Sequence, residues 1–161
     1  MIGLRPGQQL KYAVRITTVP ALHIASTIGF VIEALDGVIY FAGDTYFGTF
    51  MKEIGAGFRL DVALMPVTTY RVPMTMGEKG AVLAVSVLKP RVVIPIHLGI
   101  APRSRVLRTS ETAEHFRTRV QQAGLPADVV ILREGEVWEH NAGSENAASS
   151  QAHATPQLTQ P

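Results

Sequence analysis

Three side chains in this sequence could bind a metal ion, and each follows a stretch that predicts a β-strand. Asp44 and His97 come directly after short apolar runs of the kind found in buried strands, and His23 ends a β-rich run. Imidazole nitrogens and carboxylate oxygens are common ligands of zinc and similar divalent ions. Ligands at strand ends can be held rigidly, which a metal site requires. One interpretation is therefore a metal site formed by His23, Asp44 and His97.

Each of these residues also has an ordinary structural interpretation. His23 could be a histidine whose ring is satisfied by a backbone carbonyl. Asp44 lies in Gly-Asp-Thr, which suits a tight turn stabilised by the Asp side chain. For His97 the ligand role is favoured, because a buried strand seldom ends in histidine without a function. No clustered His/Asp ligand motif occurs anywhere in the 161 residues.

The composition is that of a cysteine-free chain with an apolar interior. Hydrophobic residues make up 47% and charged residues only 17%, which predicts either a buried parallel sheet or a partial domain with an uncovered apolar face. The net charge of +2 is too small to indicate a nucleic-acid partner. Without cysteines, disulfides and thiolate metal ligands are excluded, and we expect a cytoplasmic protein. No apolar run is long enough to predict a membrane span or a membrane partner.

The densest basic stretch runs from Arg103 to Arg108 and contains three arginines. A solvated surface is the favoured interpretation, and a site for an anionic substrate is the alternative.

A change of composition near residue 140 predicts two regions. Residues 1–140 have the composition of a globular domain. Residues 141–161 are rich in Ala, Ser, Gln, Thr, Pro and Asn. Such a segment cannot bury enough apolar surface to offset its ordering entropy, so we expect a disordered tail, in which His153 is inert.

The hydrophobic pattern predicts a layered α/β fold with the element order β-β-β-α-β-α-β-α-β-β. Asp36-Gly predicts a hairpin turn, and Gly124 suits the residue that follows a helix end. Thr75 and Glu78 have the spacing of a capping box at a helix start. Gly55 and Gly57 are expected to break the first helix. The predicted strands are 10–19, 27–34, 38–42, 62–67, 92–96, 129–132 and 136–139, and the predicted helices are 49–54, 76–88 and 110–123.

Four segments match, in order, the pattern of one known family. They are Ile16-Thr-Thr-Val-Pro-Ala-Leu-His23, Gly29-Phe-Val-Ile-Glu33 with Val38-Ile-Tyr-Phe-Ala-Gly-Asp-Thr45, Leu60-Asp-Val-Ala-Leu-Met-Pro66, and Met74-Thr-Met-Gly-Glu with Pro90-Arg-Val-Val-Ile-Pro-Ile-His97. Together they resemble the C-terminal half of a metallo-β-lactamase-fold hydrolase, most closely the branch that includes L-ascorbate-6-phosphate lactonase. The resemblance covers residues 4–139.

This resemblance implies part of an αββα sandwich with a site for two metal ions, zinc being the expected metal. His23 would be the family's later histidine ligand, Asp44 its bridging carboxylate and His97 its final histidine. The implied chemistry is hydrolysis of a lactone, ester, amide or phosphodiester through a metal-bound hydroxide. The family's upstream His-x-His-x-Asp-His motif, however, has no counterpart in this sequence.

With so few ligands, we expect weak zinc binding and no catalysis by this chain alone. Three explanations stay open: a fragment of a longer coding sequence, a short protein that kept the fold and lost the chemistry, or a chain whose site is completed by another polypeptide. The functional alternatives are a metal-dependent hydrolase that is active only as a longer chain and a non-catalytic interaction module. In either case the apolar face could drive self-association. An RNA-processing phosphodiesterase is disfavoured by the modest charge.

Overall fold

The computed structural model of the protein describes residues 6–11, 14–98 and 103–140. The tail predicted for residues 141–161, with His153, lies outside these ranges. Within them, no helix is both long and apolar enough to cross a membrane.

Seven strands in the described ranges form one mixed sheet and lie side by side in the order of the sequence. Strands β1 to β4 pair antiparallel, and β4 to β7 pair parallel. The strands are β1 Gln9–Lys11, β2 Arg15–Pro20, β3 Ile28–Ala34, β4 Gly37–Phe41, β5 Val62–Pro66, β6 Val92–Ile96 and β7 Asp128–Val129. The helices are α1 Phe50–Gly57, α2 Gly77–Leu88 and α3 Ala113–Gln122, and a 3-10 turn covers Arg105–Leu107.

The three helices connect the parallel strands and pack on one face of the sheet. Crossovers between parallel strands share one hand, and the strand order never reverses, so each helix is placed on the same side. The core lies between these two layers. Its fully buried members include Val31, Tyr40, Ala63 and Val93 from the sheet and Met51, Phe116 and Val120 from the helices.

The opposite face of the sheet presents two apolar rows across four adjacent strands. Successive side chains of a strand alternate between faces, so these positions point away from the helix layer. One row is Phe30, Phe41, Leu64 and Ile94, and the next is Ile32, Ile39, Val62 and Val92. Phe41 keeps 37% of its surface exposed. One sheet with a single helix layer is half of an αββα sandwich, which confirms the predicted fold class.

Two local predictions are confirmed. The predicted hairpin forms, because Ala34 pairs with Gly37. Its two turn residues are Leu35 and Asp36, and Gly37 is the first residue of β4. Gly124 has φ of +63°, and it follows the C-cap of α3 as expected. Its amide donates to the carbonyl of Gln121, and the amide of Leu125 donates to that of Val120. This is the Schellman pattern of hydrogen bonds at a helix end.

The prediction that glycines break α1 at residue 55 is wrong, because the helix continues to Gly57. Packing explains the difference. A Cβ added to Gly55 would lie 2.2 Å from the carbonyl oxygen of Val87, near the end of α2. Gly55 therefore permits close contact between two helices, and it does not terminate one.

Two strand predictions also need correction. The single strand predicted over 10–19 is a hairpin, in which β1 folds back on β2 with Lys11 opposite Arg15. The strand pair predicted over 129–132 and 136–139 does not form, since only Asp128 and Val129 pair with β6. Beyond them, the Arg133 amide donates to the Glu136 carboxylate at 2.8 Å, and the Glu136 amide donates to the Arg133 carbonyl at 3.0 Å. The main-chain amides of Arg133 and Glu136 are therefore used within this turn and are not available to pair with a neighbouring strand.

The predicted capping box at Thr75 and Glu78 is wrong as well. The Thr75 hydroxyl donates to the carbonyl of Thr68, and the N-cap of α2 is Met76 without a side-chain cap. Glu78 is buried, and its carboxylate accepts from the amide of Thr112 at 2.9 Å. The Glu78 side chain thus caps a different helix, α3. A local sequence pattern cannot show that choice.

Candidate metal site at the carboxyl edge of the sheet

The three candidate ligands all follow strands that run in the same direction. β2 is antiparallel to β3, which is antiparallel to β4, so β2, β4, β5 and β6 all end at one edge, which we call the carboxyl edge. His23 lies three residues beyond β2, Asp44 three beyond β4, and His97 directly after β6. Neighbouring strands are about 4.8 Å apart, which puts β4 roughly 10 Å from β6. The topology therefore brings all three to one edge.

Main-chain and threonine contacts join the loops that carry His23 and Asp44. The amide of Tyr46 donates to the carbonyl of Leu22 at 2.7 Å, and the amide of Leu22 donates to the Thr45 hydroxyl at 2.9 Å. Thr45 is fully buried, so its hydroxyl is shielded from water. The segment around residue 22 and the Gly-Asp-Thr turn are consequently fixed relative to each other.

The side chain of Asp44 is free in this arrangement. It is exposed, and its carboxylate has no hydrogen bond or ion pair with a described residue, although its carbonyl accepts from the Thr27 hydroxyl at 3.2 Å. The turn instead depends on Gly43, whose φ is +63°. The structural interpretation of Asp44, a side chain that stabilises the turn, is therefore not supported, and its oxygens are available to a cation.

His97 has two unusual features for a residue at a strand end. Its φ is +63°, a left-handed conformation that is strained for a residue with a side chain. Its buried Nδ1 has no hydrogen-bond partner among the described residues. Buried polar atoms are nearly always paired, so an unpaired imidazole nitrogen suits a ligand position. The Thr68 hydroxyl donates to the His97 carbonyl at 2.5 Å and helps to hold the strained backbone.

His23 fits a metal less well than His97. Its ring stacks on Tyr46, with the ring centres 6.3 Å apart, and its Nδ1 accepts the Ala25 amide at 3.2 Å. Because Nδ1 is an acceptor there, the neutral ring carries its proton on Nε2, which leaves neither nitrogen with a free lone pair. Binding a metal thus requires the ring to release the Ala25 amide.

Among the described residues, no group of three or more His, Asp or Glu side chains is arranged to hold a metal ion. His23, Asp44 and His97 share the carboxyl edge, and their convergence around an ion stays a prediction. The donor types fit zinc, since the set combines imidazole nitrogen with carboxylate oxygen. His97 and Asp44 have free donor atoms, whereas His23 must rearrange.

The loop after β5 was not predicted to contribute to this edge, yet it contacts both sides of it. The Tyr46 hydroxyl donates to the carbonyl of Pro73 at 2.8 Å, and Thr68 contacts His97 as described. The Thr69 hydroxyl accepts the amides of Met74 and Thr75 at 2.8 and 3.2 Å. The loop is thus stabilised by hydrogen bonds between its own residues. In the sequence, the only indication of this is the threonine-rich composition of residues 68–75.

Comparison with known proteins agrees with the fold. Residues 1–98 match the family model described as a beta-lactamase superfamily domain. A UPF0173 metal-dependent hydrolase of Methanopyrus kandleri is 35% identical over 77% of this chain and 56% of its own length. Another, from Thermococcus onnurineus, is 37% identical over 86% of this chain and 61% of its own length.

Among solved structures, the protein is similar to Igni18, a metallo hydrolase from Ignicoccus hospitalis. The TM-score is 0.69 and the sequence identity is 30%, over 84% of this chain and 58% of Igni18. The chain thus spans a little over half the length of these relatives.

Proposed function

Because the chain belongs to the metallo-β-lactamase superfamily, we propose that it provides part of a metal-dependent hydrolase, with His23, Asp44 and His97 as metal ligands. The observation that carries this proposal is His97, which combines a strained backbone with an unpaired buried nitrogen at the carboxyl edge. Strain of this kind is concentrated at functional sites. The names of the relatives, metal-dependent hydrolases, support the same chemistry.

When bound, a divalent ion such as zinc would lower the pKa of a water molecule and stabilise negative charge that develops on the substrate. The residues of this chain would hold the ion: His97 through Nδ1, Asp44 through its carboxylate, and His23 after its ring has left the Ala25 amide. Lactones, esters and phosphodiesters are the substrate classes we propose.

The number of ligands limits what this chain can do alone. A catalytic zinc ion generally has three protein ligands, so His23, Asp44 and His97 could hold at most one ion. The His-x-His-x-Asp-His motif, which the family resemblance implies for the remaining ligands, has no counterpart in this sequence. We therefore propose that this 161-residue chain binds zinc weakly and hydrolyses substrates no faster than background.

A hydrolysis assay tests the proposed activity. The chain is incubated with and without zinc against a chromogenic lactone, p-nitrophenyl acetate and bis-p-nitrophenyl phosphate, with His97→Ala as the site variant and His115→Ala as the control. His115 is an exposed histidine in the first turn of α3 and is not one of the three proposed ligands. We expect background rates for all three proteins. Zinc-dependent turnover that His97→Ala abolishes would show that the chain assembles a complete site, and turnover retained in His97→Ala would contradict the ligand assignment.

A second candidate function is an interaction module, and the apolar sheet face favours it. All eight side chains in the two rows opposite the helix layer are apolar. Phe41 is more than one third exposed, whereas Val62 and Ile94 are already buried. We propose a second copy of this chain as the occupant, because two identical apolar faces are complementary in character. This candidate predicts association without metal, whereas the hydrolase predicts metal binding by the carboxyl edge.

A further inference from the structure

Four arginines lie on two segments that follow β5 and β6 at the carboxyl edge. Arg71 is in the loop after β5, and Arg103, Arg105 and Arg108 surround the 3-10 turn after β6. All four are exposed. The amide of Arg71 donates to the carbonyl of Leu107 at 3.0 Å, so the two segments touch. We call these four residues the arginine rim.

Hydrogen bonds connect the arginine rim to the candidate metal site. Pro73, two residues after Arg71, accepts the hydroxyl of Tyr46, whose ring stacks on His23. Thr109, the residue after Arg108, donates its hydroxyl to the carbonyl of Thr69 at 2.7 Å, and the adjacent Thr68 contacts His97. The rim is thus fixed by short links to the loops of two candidate ligands.

The rim has a surplus of positive charge. Residues 68–76 and 103–112 contain four arginines and one acid, Glu111, whereas the net charge of the whole chain is only +2. Both oxygens of Glu111 accept main-chain amides, from Thr69 and Glu78. Arg71, Arg103 and Arg105 form no ion pair with any residue of the described ranges. Elsewhere, Arg15, Arg91 and Arg119 are paired with acids.

Apolar side chains lie among these arginines. Val72 is 63% exposed and Val106 is 69% exposed, and they are sequence neighbours of Arg71 and Arg105. Guanidinium groups bind phosphate and carboxylate through paired hydrogen bonds, and a cluster of like charges raises the local concentration of anions. Cations beside apolar surface suit a small molecule that has both an anionic and an apolar part.

We propose that the arginine rim binds the phosphate or carboxylate group of a small anionic substrate and holds its remainder beside the metal site. This inference rests on the proposed function for the identity of the site, but the binding itself needs no metal. Of the two interpretations of the basic stretch from Arg103 to Arg108, a solvated surface and a site for an anionic substrate, this proposal adopts the second.

The test is an NMR-monitored titration of the full chain in buffer that contains EDTA. The chain is titrated with phenyl phosphate and, separately, with phenol as the uncharged analogue. The site variant carries Arg71→Gln, Arg103→Gln and Arg105→Gln. The control carries Lys52→Gln, Arg59→Gln and Arg133→Gln, which removes three exposed cations elsewhere. We expect phenyl phosphate to bind the parent chain and the control alike, and the site variant at least tenfold more weakly. Raising the ionic strength from about 0.01 M to about 1 M should weaken binding, because salt screens exposed charges.

Equal binding by the two variants, or equal binding of phenol and phenyl phosphate, would overturn the proposal. So would rim-dependent binding of phosphatidylserine vesicles or of a single-stranded oligonucleotide when phenyl phosphate does not bind, since the partner would then be a membrane or a nucleic acid. Because EDTA removes metal, these results do not depend on hydrolysis. Failure of the hydrolase assay would leave this test valid.

Discussion

Glu78 and Glu111 bind each other's helices reciprocally. Glu78, which belongs to α2, accepts a main-chain amide at the start of α3, and Glu111, which precedes α3, accepts one at the start of α2. The Glu78 carboxylate, in the first turn of α2, accepts from Thr112, the N-cap of α3, at 2.9 Å. Glu111, which directly precedes Thr112, accepts from the amide of Glu78 at 3.0 Å and from that of Thr69 at 2.7 Å. Two helix starts and the loop after β5 are therefore joined by two carboxylates, each placed where a helix dipole favours negative charge.

Replacing Glu111 should destabilise the protein, because Glu111→Ala leaves two partly buried amides without an acceptor. We expect a loss of about 1–3 kcal/mol in the free energy of unfolding, measured by urea denaturation. Glu134→Ala, at an exposed turn, is the control and should change stability by less than about 0.5 kcal/mol. A Glu111→Ala variant as stable as this control would show that the reciprocal capping contributes little.

Two glycines of α1 should respond in opposite directions to the same substitution. Gly55→Ala places a methyl group 2.2 Å from the carbonyl oxygen of Val87, so α1 and α2 must separate and stability should fall. Overpacking of this kind typically costs about 1–3 kcal/mol. Nothing lies within 4 Å of a Cβ at Gly57, so Gly57→Ala should be neutral or stabilise the helix by up to about 1 kcal/mol. Thermal unfolding of both variants measures the difference, and similar effects would contradict the close helix contact.

Tyr40 should make the protein sensitive to alkaline pH. Burial raises the pKa of its phenol well above the ordinary value of 10.0, and its hydroxyl has no hydrogen-bond partner among the described residues. The folded state therefore keeps the proton at a pH where the unfolded state loses it. The stability that this provides is complete below pH 10 and falls as pH rises further.

Urea unfolding of Tyr40→Phe at neutral and alkaline pH checks this. The variant should match or exceed the parent at neutral pH, because it removes an unpaired buried hydroxyl. Above pH 10 it should lose less stability than the parent. Parallel pH profiles for the two proteins would mean that Tyr40 ionises with equal ease in both states.

Self-association should depend on the apolar sheet face. Phe41→Lys puts a charge at the most exposed side chain of the two rows and should reduce the mass measured by sedimentation velocity in metal-free buffer. Leu35→Lys is the control, because Leu35 is fully exposed at the β3–β4 turn and lies outside both rows. Association that both variants retain, or a parent chain that is monomeric, would exclude this face as the interface.

Most of the fold could be predicted from the sequence, because its elements follow local patterns. Asp-Gly at residues 36–37 indicated the hairpin through its turn-forming composition. Gly124 indicated the end of α3, because its position after the helix requires a left-handed backbone that few residues adopt. Strands β5 and β6 were evident as short apolar runs. The failures involve tertiary choices: Gly55 serves a helix contact, and Glu78 caps a neighbouring helix.

For the candidate site as well, the features set by local sequence could be predicted and those set by tertiary contacts could not. Asp44 and His97 could be placed at one edge because both follow parallel strands. The left-handed backbone of His97, the Ala25 amide on His23 and the link from Tyr46 to Pro73 all depend on how distant loops meet. A linear sequence carries no local signal for such contacts.

Zinc titration of the metal-free chain by isothermal calorimetry tests the central claim most directly. We predict weak binding of no more than one ion per chain, reduced at least tenfold in His97→Ala and in Asp44→Asn and unchanged in His115→Ala. The weakness follows from the small ligand set and from the rearrangement that His23 requires. Zinc binding that is the same in His97→Ala, Asp44→Asn and the parent would contradict the assignment of this edge as the metal site.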